Sequence, residues 1–185
     1  IVSNGVLLLS GDNGANGVIR GAVRVEAGAT VRSLTANTHG YTAGTSVSAL
    51  TIRGGTYGGG DFYNHFWNNF PVTLEGGTLI LGGSNNEFHN PTITVSNSPN
   101  TARILGATPG AYIRLRDGTS GRFVVENGAQ PIDLLVDVYI YYNSGTSGFS
   151  KDGAGTMLLN FGPGDYDGIT TISNGVLMLG HDTAV

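Results

Sequence analysis

Carboxylates, histidines and aromatic rings are the groups through which this chain could do chemistry, so their spacing comes first. Asp133 and Asp137 lie four apart in a strand-like run. Glycoside hydrolysis needs two carboxyl groups facing each other across roughly 5 to 9 Å. Two acids four apart on one strand face are too far apart for that unless the strand bends. Asp165 and Asp167, in Asp-Tyr-Asp-Gly, offer oxygen ligands that could hold calcium weakly. Their plainer reading is a turn. His39, His65, His89 and His181 lack the spacing of a metal site. Asp12, Asp117 and Asp152 each adjoin a glycine, which is turn chemistry. No Gly-x-Ser-x-Gly elbow, phosphate loop or zinc motif occurs. The residues therefore predict no catalytic residue, no metal site and no cofactor.

The aromatic residues are more pointed. Between Tyr57 and Phe70 the chain gathers Tyr57, Phe62, Tyr63, Phe66, Trp67 and Phe70, together with His65 and Asn64, Asn68 and Asn69. Aromatic faces with amide side chains beside them suit the stacking of sugar rings or a partner protein. The alternative is a lateral loop whose rings fold back onto the protein, with Trp67 at least half buried. A second group, Val138-Tyr139-Ile140-Tyr141-Tyr142, alternates tyrosine with apolar residues and reads as a strand presenting a tyrosine face, with Tyr141 a candidate contact. The stretch Asn85 to Pro91 reads as a polar corner and nothing more.

What positions these groups is a turn-dense β architecture. The chain has 185 residues, of which 31 are glycine, while hydrophobic residues make up 39% and charged residues only 12%. That glycine lacks the three-residue period of collagen, and the apolar fraction is too high for disorder. A net charge of −4 with no basic cluster argues against nucleic acid as a partner. No cysteine is present, which excludes disulfides and thiolate metal sites. No apolar run approaches the roughly 20 residues that cross a bilayer as a helix.

A short pattern recurs along the chain: apolar residues two apart, a turn residue, then glycine. It appears as Val23 to Gly28, Leu50 to Gly55, Val72 to Gly77, Phe123 to Gly128 and Ile172 to Gly175, with a degenerate copy at Ile93 to Ser98. Val2 to Leu9 nearly repeats Ile172 to Leu179. Corners at 5, 28, 55, 77, 98, 128, 155 and 175 recur about every 24 residues, a solenoid spacing. A propeller blade would need about 40 residues. The expected fold is all-β, a right-handed parallel β-helix of about eight coils, with an aromatic loop inserted. At about 4.8 Å per coil it would form a rod of about 38 Å. Val25, Ile52, Leu74, Val95, Val125 and Ile172 are expected in one inward column, and Val31, Leu79 and Leu177 in another.

The tail, Gly153-Ala-Gly-Thr-Met-Leu-Leu159 followed by Tyr166-Asp-Gly and Thr170-Thr-Ile-Ser-Asn-Gly-Val-Leu-Met-Leu-Gly180, resembles the autotransporter-associated β-strand repeat, also called the passenger-associated transport repeat. The likeness covers about thirty residues and departs from the family pattern at Met157 and Ile169-Thr170. It implies an extracellular or cell-surface β-helix of a Gram-negative-type bacterium, structural or adhesive. Residues 1–185 then form a single β-helix segment, a fragment or subunit of a longer assembly. The absence of cysteine suits a passenger that crosses an outer membrane unfolded. Each end carries the same motif without a cap, so the partners expected are further coils, from a longer chain or from a second copy. Two other functions remain open: a carbohydrate-binding module centred on Phe62 to Phe70, reading surface glycans, and a polysaccharide-active β-helix.

Overall fold

Alternation of apolar and polar residues every second position, cut by glycine corners, folds here into strands that return to the same level once per coil. The computed structural model describes residues 1–11, 15–58, 66, 70–83, 86–116, 118–142, 144–162 and 164–181. The strands in chain order begin with β1 (Gly5–Leu9), β2 (Gly21–Glu26), β3 (Ala29–Ser33), β4 (Val47–Arg53), β5 (Thr56–Gly58) and β6 (Val72–Glu75). They continue with β7 (Thr78–Leu81), β8 (Asn86–Phe88), β9 (Thr92–Val95), β10 (Ala102–Gly106), β11 (Tyr112–Leu115) and β12 (Gly121–Val125). The last are β13 (Leu134–Asp137), β14 (Tyr139–Tyr142), β15 (Phe149–Asp152), β16 (Thr156–Leu159), β17 (Thr170–Ile172) and β18 (Val176–Leu179). No helix occurs among the described residues.

All pairing between these strands is parallel. Three sheets result. One has eight strands in the order β1-β3-β5-β7-β10-β13-β16-β18, and one has seven in the order β17-β15-β12-β9-β6-β4-β2. The third has three, β14-β11-β8. Consecutive strands thus sit on different faces, which is the path of a parallel β-solenoid. It completes about six turns rather than the expected eight. The eight corners counted along the sequence include the incomplete passes at the two ends. From β2 to β17 the seven-stranded sheet closes six full turns.

The inward columns correct the sequence reading in two places. Val25, Ile52, Leu74, Val95 and Val125 do stack in register. Ile172 belongs to the neighbouring column, Val23-Leu50-Val72-Ile93-Phe123-Lys151-Ile172. In the eight-stranded sheet Val31 and Leu79 share a column through Tyr57, but Leu177 pairs with Met157 two residues away. The physical cause is corner length, since longer connections such as residues 126–133 slide the next strand relative to the glycine. The glycine pairs divide their work. At the Gly54-Gly55 corner, Gly54 takes the left-handed backbone (φ 68°), while a Cβ on Gly55 would strike the Glu26 carbonyl of the coil below.

Nearly every inward side chain of these columns is buried, so the core runs through all coils. One coil alone could not bury such residues, whereas stacked coils share one core. The most unexpected inward residue is Lys151, which is fully buried between Phe123 and Ile172. Its ammonium donates to the carbonyls of Asp152 (3.0 Å), Gly153 (2.5 Å) and Asn174 (3.0 Å). Three donors meet three acceptors, so the charge is hydrogen-bonded although it is out of water. Burial pulls the Lys151 pKa down, against the attraction of Asp133, Asp152 and Glu126.

Candidate functional site

Of the residues singled out for recognition, Phe66 and Tyr141 lie on the third, short face, and Tyr57 lies on the eight-stranded sheet. Phe66 forms a parallel bridge to Phe88, its N–H donating to the Glu87 carbonyl at 2.7 Å. The Phe66 and Phe88 rings stack at 4.3 Å with planes 3° apart. His39 lies 4.6 Å from the Phe66 ring and Phe70 packs edge-on to His39 at 5.6 Å. The Tyr57 hydroxyl approaches His39 Nδ1 at 3.5 Å. Tyr57, Phe66 and Phe70 are 1%, 5% and 7% exposed, so these rings form core and offer no stacking face. Phe62, Tyr63, His65 and Trp67 lie outside the described residues, and with them the expectation for Trp67. His39, considered in the sequence only for metal-site spacing, is fully buried at the centre of the group.

Asn85 to Pro91 is more than the polar corner expected. Asn86 to Phe88 form β8, and all three residues are buried. Asn86 turns inward and donates to the Gly82 carbonyl at 2.9 Å, which closes the preceding turn. Glu87 accepts from Arg114 Nη1 at 3.0 Å and from Arg116 Nη1 at 2.7 Å. In sequence the acid and the two arginines lie 27 and 29 residues apart, one coil, and only the parallel register shows them as neighbours.

Tyr141 does face outward, as the alternation of its strand predicts. Its ring pairs with Tyr112 at 5.3 Å, stacks with Tyr142 at 6.0 Å, and lies 6.0 Å below the Arg114 guanidinium. That last distance is at the edge of a cation–π contact. Tyr139 meets Phe161 edge-on at 4.4 Å. The outward side of β11 and β14 is therefore a half-buried tyrosine surface with arginine beside it. Burial pushes the Tyr112 phenol up, while nearby Arg114 pulls it down.

The acidic candidates resolve into structural roles. Asp133 accepts the N–H of Gly128 at 2.6 Å and of Thr156 at 2.7 Å, one on each carboxylate oxygen. It ties a long corner to the next coil. Asp137 accepts the Asn160 amide at 3.0 Å. Asp167 accepts the Ser147 N–H at 3.1 Å, and Asp165 pairs through its backbone with Tyr141. Among the described residues no group of three or more His, Cys, Asp or Glu could hold a metal ion.

This geometry defines a parallel β-solenoid with a filled core and an aromatic, partly charged third face. Compared with known proteins, the chain matches no family model, no curated protein and no solved structure.

Proposed function

We propose that the chain is a structural or adhesive rod of an extracellular bacterial surface protein, of the autotransporter-associated repeat type, extended by stacking coil on coil. One observation carries the reading. The outermost strands of the eight-stranded sheet, β1 and β18, are near copies in sequence and in geometry. In both, an asparagine side chain accepts the N–H of the following glycine at 2.8 Å, Asn4 for Gly5 and Asn174 for Gly175. Both glycines are left-handed, at φ 77° and 72°. Among the described residues each of these strands is paired on one side only, with β3 and β16 respectively, and an open strand edge is a template for another strand.

Apolar side chains are exposed at both levels, among them Val6, Leu8, Ile172, Val176, Met178 and Leu179. Ile172 and Leu179 stand at inward positions, where a further coil would cover them and continue the core, while Val6, Leu8, Val176 and Met178 alternate outward. The covering coil comes from more of the same polypeptide or from a second copy. The latter is a head-to-tail contact, which propagates into a filament unless the rotation closes a ring.

Sedimentation velocity across a dilution series of the 185-residue chain tests this. The expected result is reversible, concentration-dependent association, lost in Leu179→Asp, which sets a charge at the open end of an inward column. A monomer at every concentration would overturn the reading. The carbohydrate-module alternative centred on Phe62 to Phe70 gains no support from its described members, because Phe66 and Phe70 are core residues.

A further inference from the structure

A groove lies where the eight-stranded sheet turns into the third face, and it arises from unequal corners. The chain passes from β13 to β14 through the single residue Val138. The coil before it makes the same passage through five residues, Ala107 to Ala111, folded as a turn by the Ala111 N–H to Thr108 carbonyl bond. The coil after it projects Asn160 and Phe161. A tight corner between two wider ones leaves a cleft of about 410 Å³, lined among others by Val138, Asp137, Pro109 and Phe161. Gly106 is needed there, because a Cβ would press on Ala111 and on the Thr108 carbonyl. Phe161 also lines a second cleft of about 230 Å³, together with Tyr139, Asn160, Gly162 and His181. Phe161 is partly exposed and belongs to both.

We propose that these two clefts bind a neutral glycan strand, with sugar rings against Phe161. The chemistry of the lining selects this class. A pyranose has an apolar face, which aromatic rings stack against, and an edge of hydroxyl donors, which carboxylate and amide oxygens accept. Phe161 and Pro109 supply the first. Asp137 supplies the second: its Oδ1 is held by Asn160 and its Oδ2 carries no bond from the described residues. Asn160 is held in turn against Gly180, where a Cβ would collide with its side-chain oxygen. The carboxylate is thus fixed in place before any ligand arrives, which lowers the ordering cost of binding.

Charge argues for a neutral ligand. Among the described residues Asp137 is the only acidic or basic side chain in either cleft apart from His181, so acidic sugars would be repelled. A peptide strand adding to a sheet edge is disfavoured too, because β13 is paired on both sides, with β10 and β16.

This binding site is independent of the stacking of coil ends, and its test reads neither association nor length. Calorimetric titration with maltohexaose, cellohexaose and the hexamer of N-acetylglucosamine is expected to detect binding by at least one. Phe161→Ala should weaken that binding about tenfold, and Phe161→Trp should restore it. Asp137→Asn should weaken it several-fold. Because Phe161 also packs on Tyr139, amide chemical shifts of the unmutated protein provide a second readout. The bound hexamer should move the signals of residues 107–111 and 160–162 and leave those of β1 in place. Failure of all three hexamers to bind would overturn the proposal. So would shifts confined to another face, or tighter binding of hexagalacturonate than of any neutral chain.

Discussion

Tyr57 shows how a residue chosen for recognition acts instead on stability. Its phenol is fully buried, and burial pushes its pKa well above the ordinary 10.0. The unfolded chain gives up that proton near pH 10, and the folded chain keeps it. Above that pH the native state binds one proton more, so stability falls as pH rises, by about 1.4 kcal/mol per unit. Lys151 works in the opposite sense, since its lowered pKa relieves a cost as pH climbs toward 10.5. Between pH 11 and 12 the tyrosine effect stands clear of it. Urea unfolding across that window should give Tyr57→Phe a slope shallower by about one proton than the parent chain. Equal slopes would mean that Tyr57 ionises in the folded state. The sequence could not reveal this burial. Tyr57 precedes three glycines and opens an aromatic run, a local context that fits surface and core equally. Its inward direction follows from pairing with Val31 and Leu79, one coil away on either side.

The two long sheets were legible as elements because each of their strands carries its own alternation and ends on a glycine corner. The third face was legible only in part. β14 shows the alternation of Tyr139, Ile140 and Tyr141, whereas β8 is three residues long and polar in two of them. Its character comes from partners that arrive from neighbouring coils: Arg114 and Arg116 on Glu87, and Phe66 on Phe88. Spacing along the chain carries no sign of these. The corner groove escaped notice for a related reason. A single-residue connection at Val138 is visible in the sequence only after the strands on both sides are known. Phe66 gives the element-scale prediction. It joins the third face by one parallel bridge and fills the space between His39, Phe70 and Phe88. Phe66→Ala should cost about 3 to 5 kcal/mol in denaturant unfolding, the range for truncating a buried aromatic. A loss below about 1 kcal/mol would show that the surrounding rings close over the cavity.

At the scale of the whole molecule, stability should follow position along the rod. Each coil contacts only its neighbours, so an inner coil is held from two sides and an outer one from a single side. At inward positions of the last coil Ile172 and Leu179 are about half exposed, while Ile52, Leu74, Ile93 and Ile104 are fully buried. Amide hydrogen exchange in dilute solution should therefore be slowest in β6, β7, β9 and β10 and fastest in β1, β17 and β18. Uniform protection would point to a single all-or-none opening. The sequence made this gradient foreseeable, since a 24-residue recurrence already implies nearest-neighbour stacking. It did not foretell that a cation closes the last turns. Lys151 is the only lysine in the chain, every other basic residue being arginine, and its ammonium is sealed inside. The folded rod consequently presents no side-chain primary amine to its surroundings. Amine-directed esters and cross-linkers find no side-chain primary amine to couple to while the last coils stay closed. Covalent capture at position 151 would time their opening.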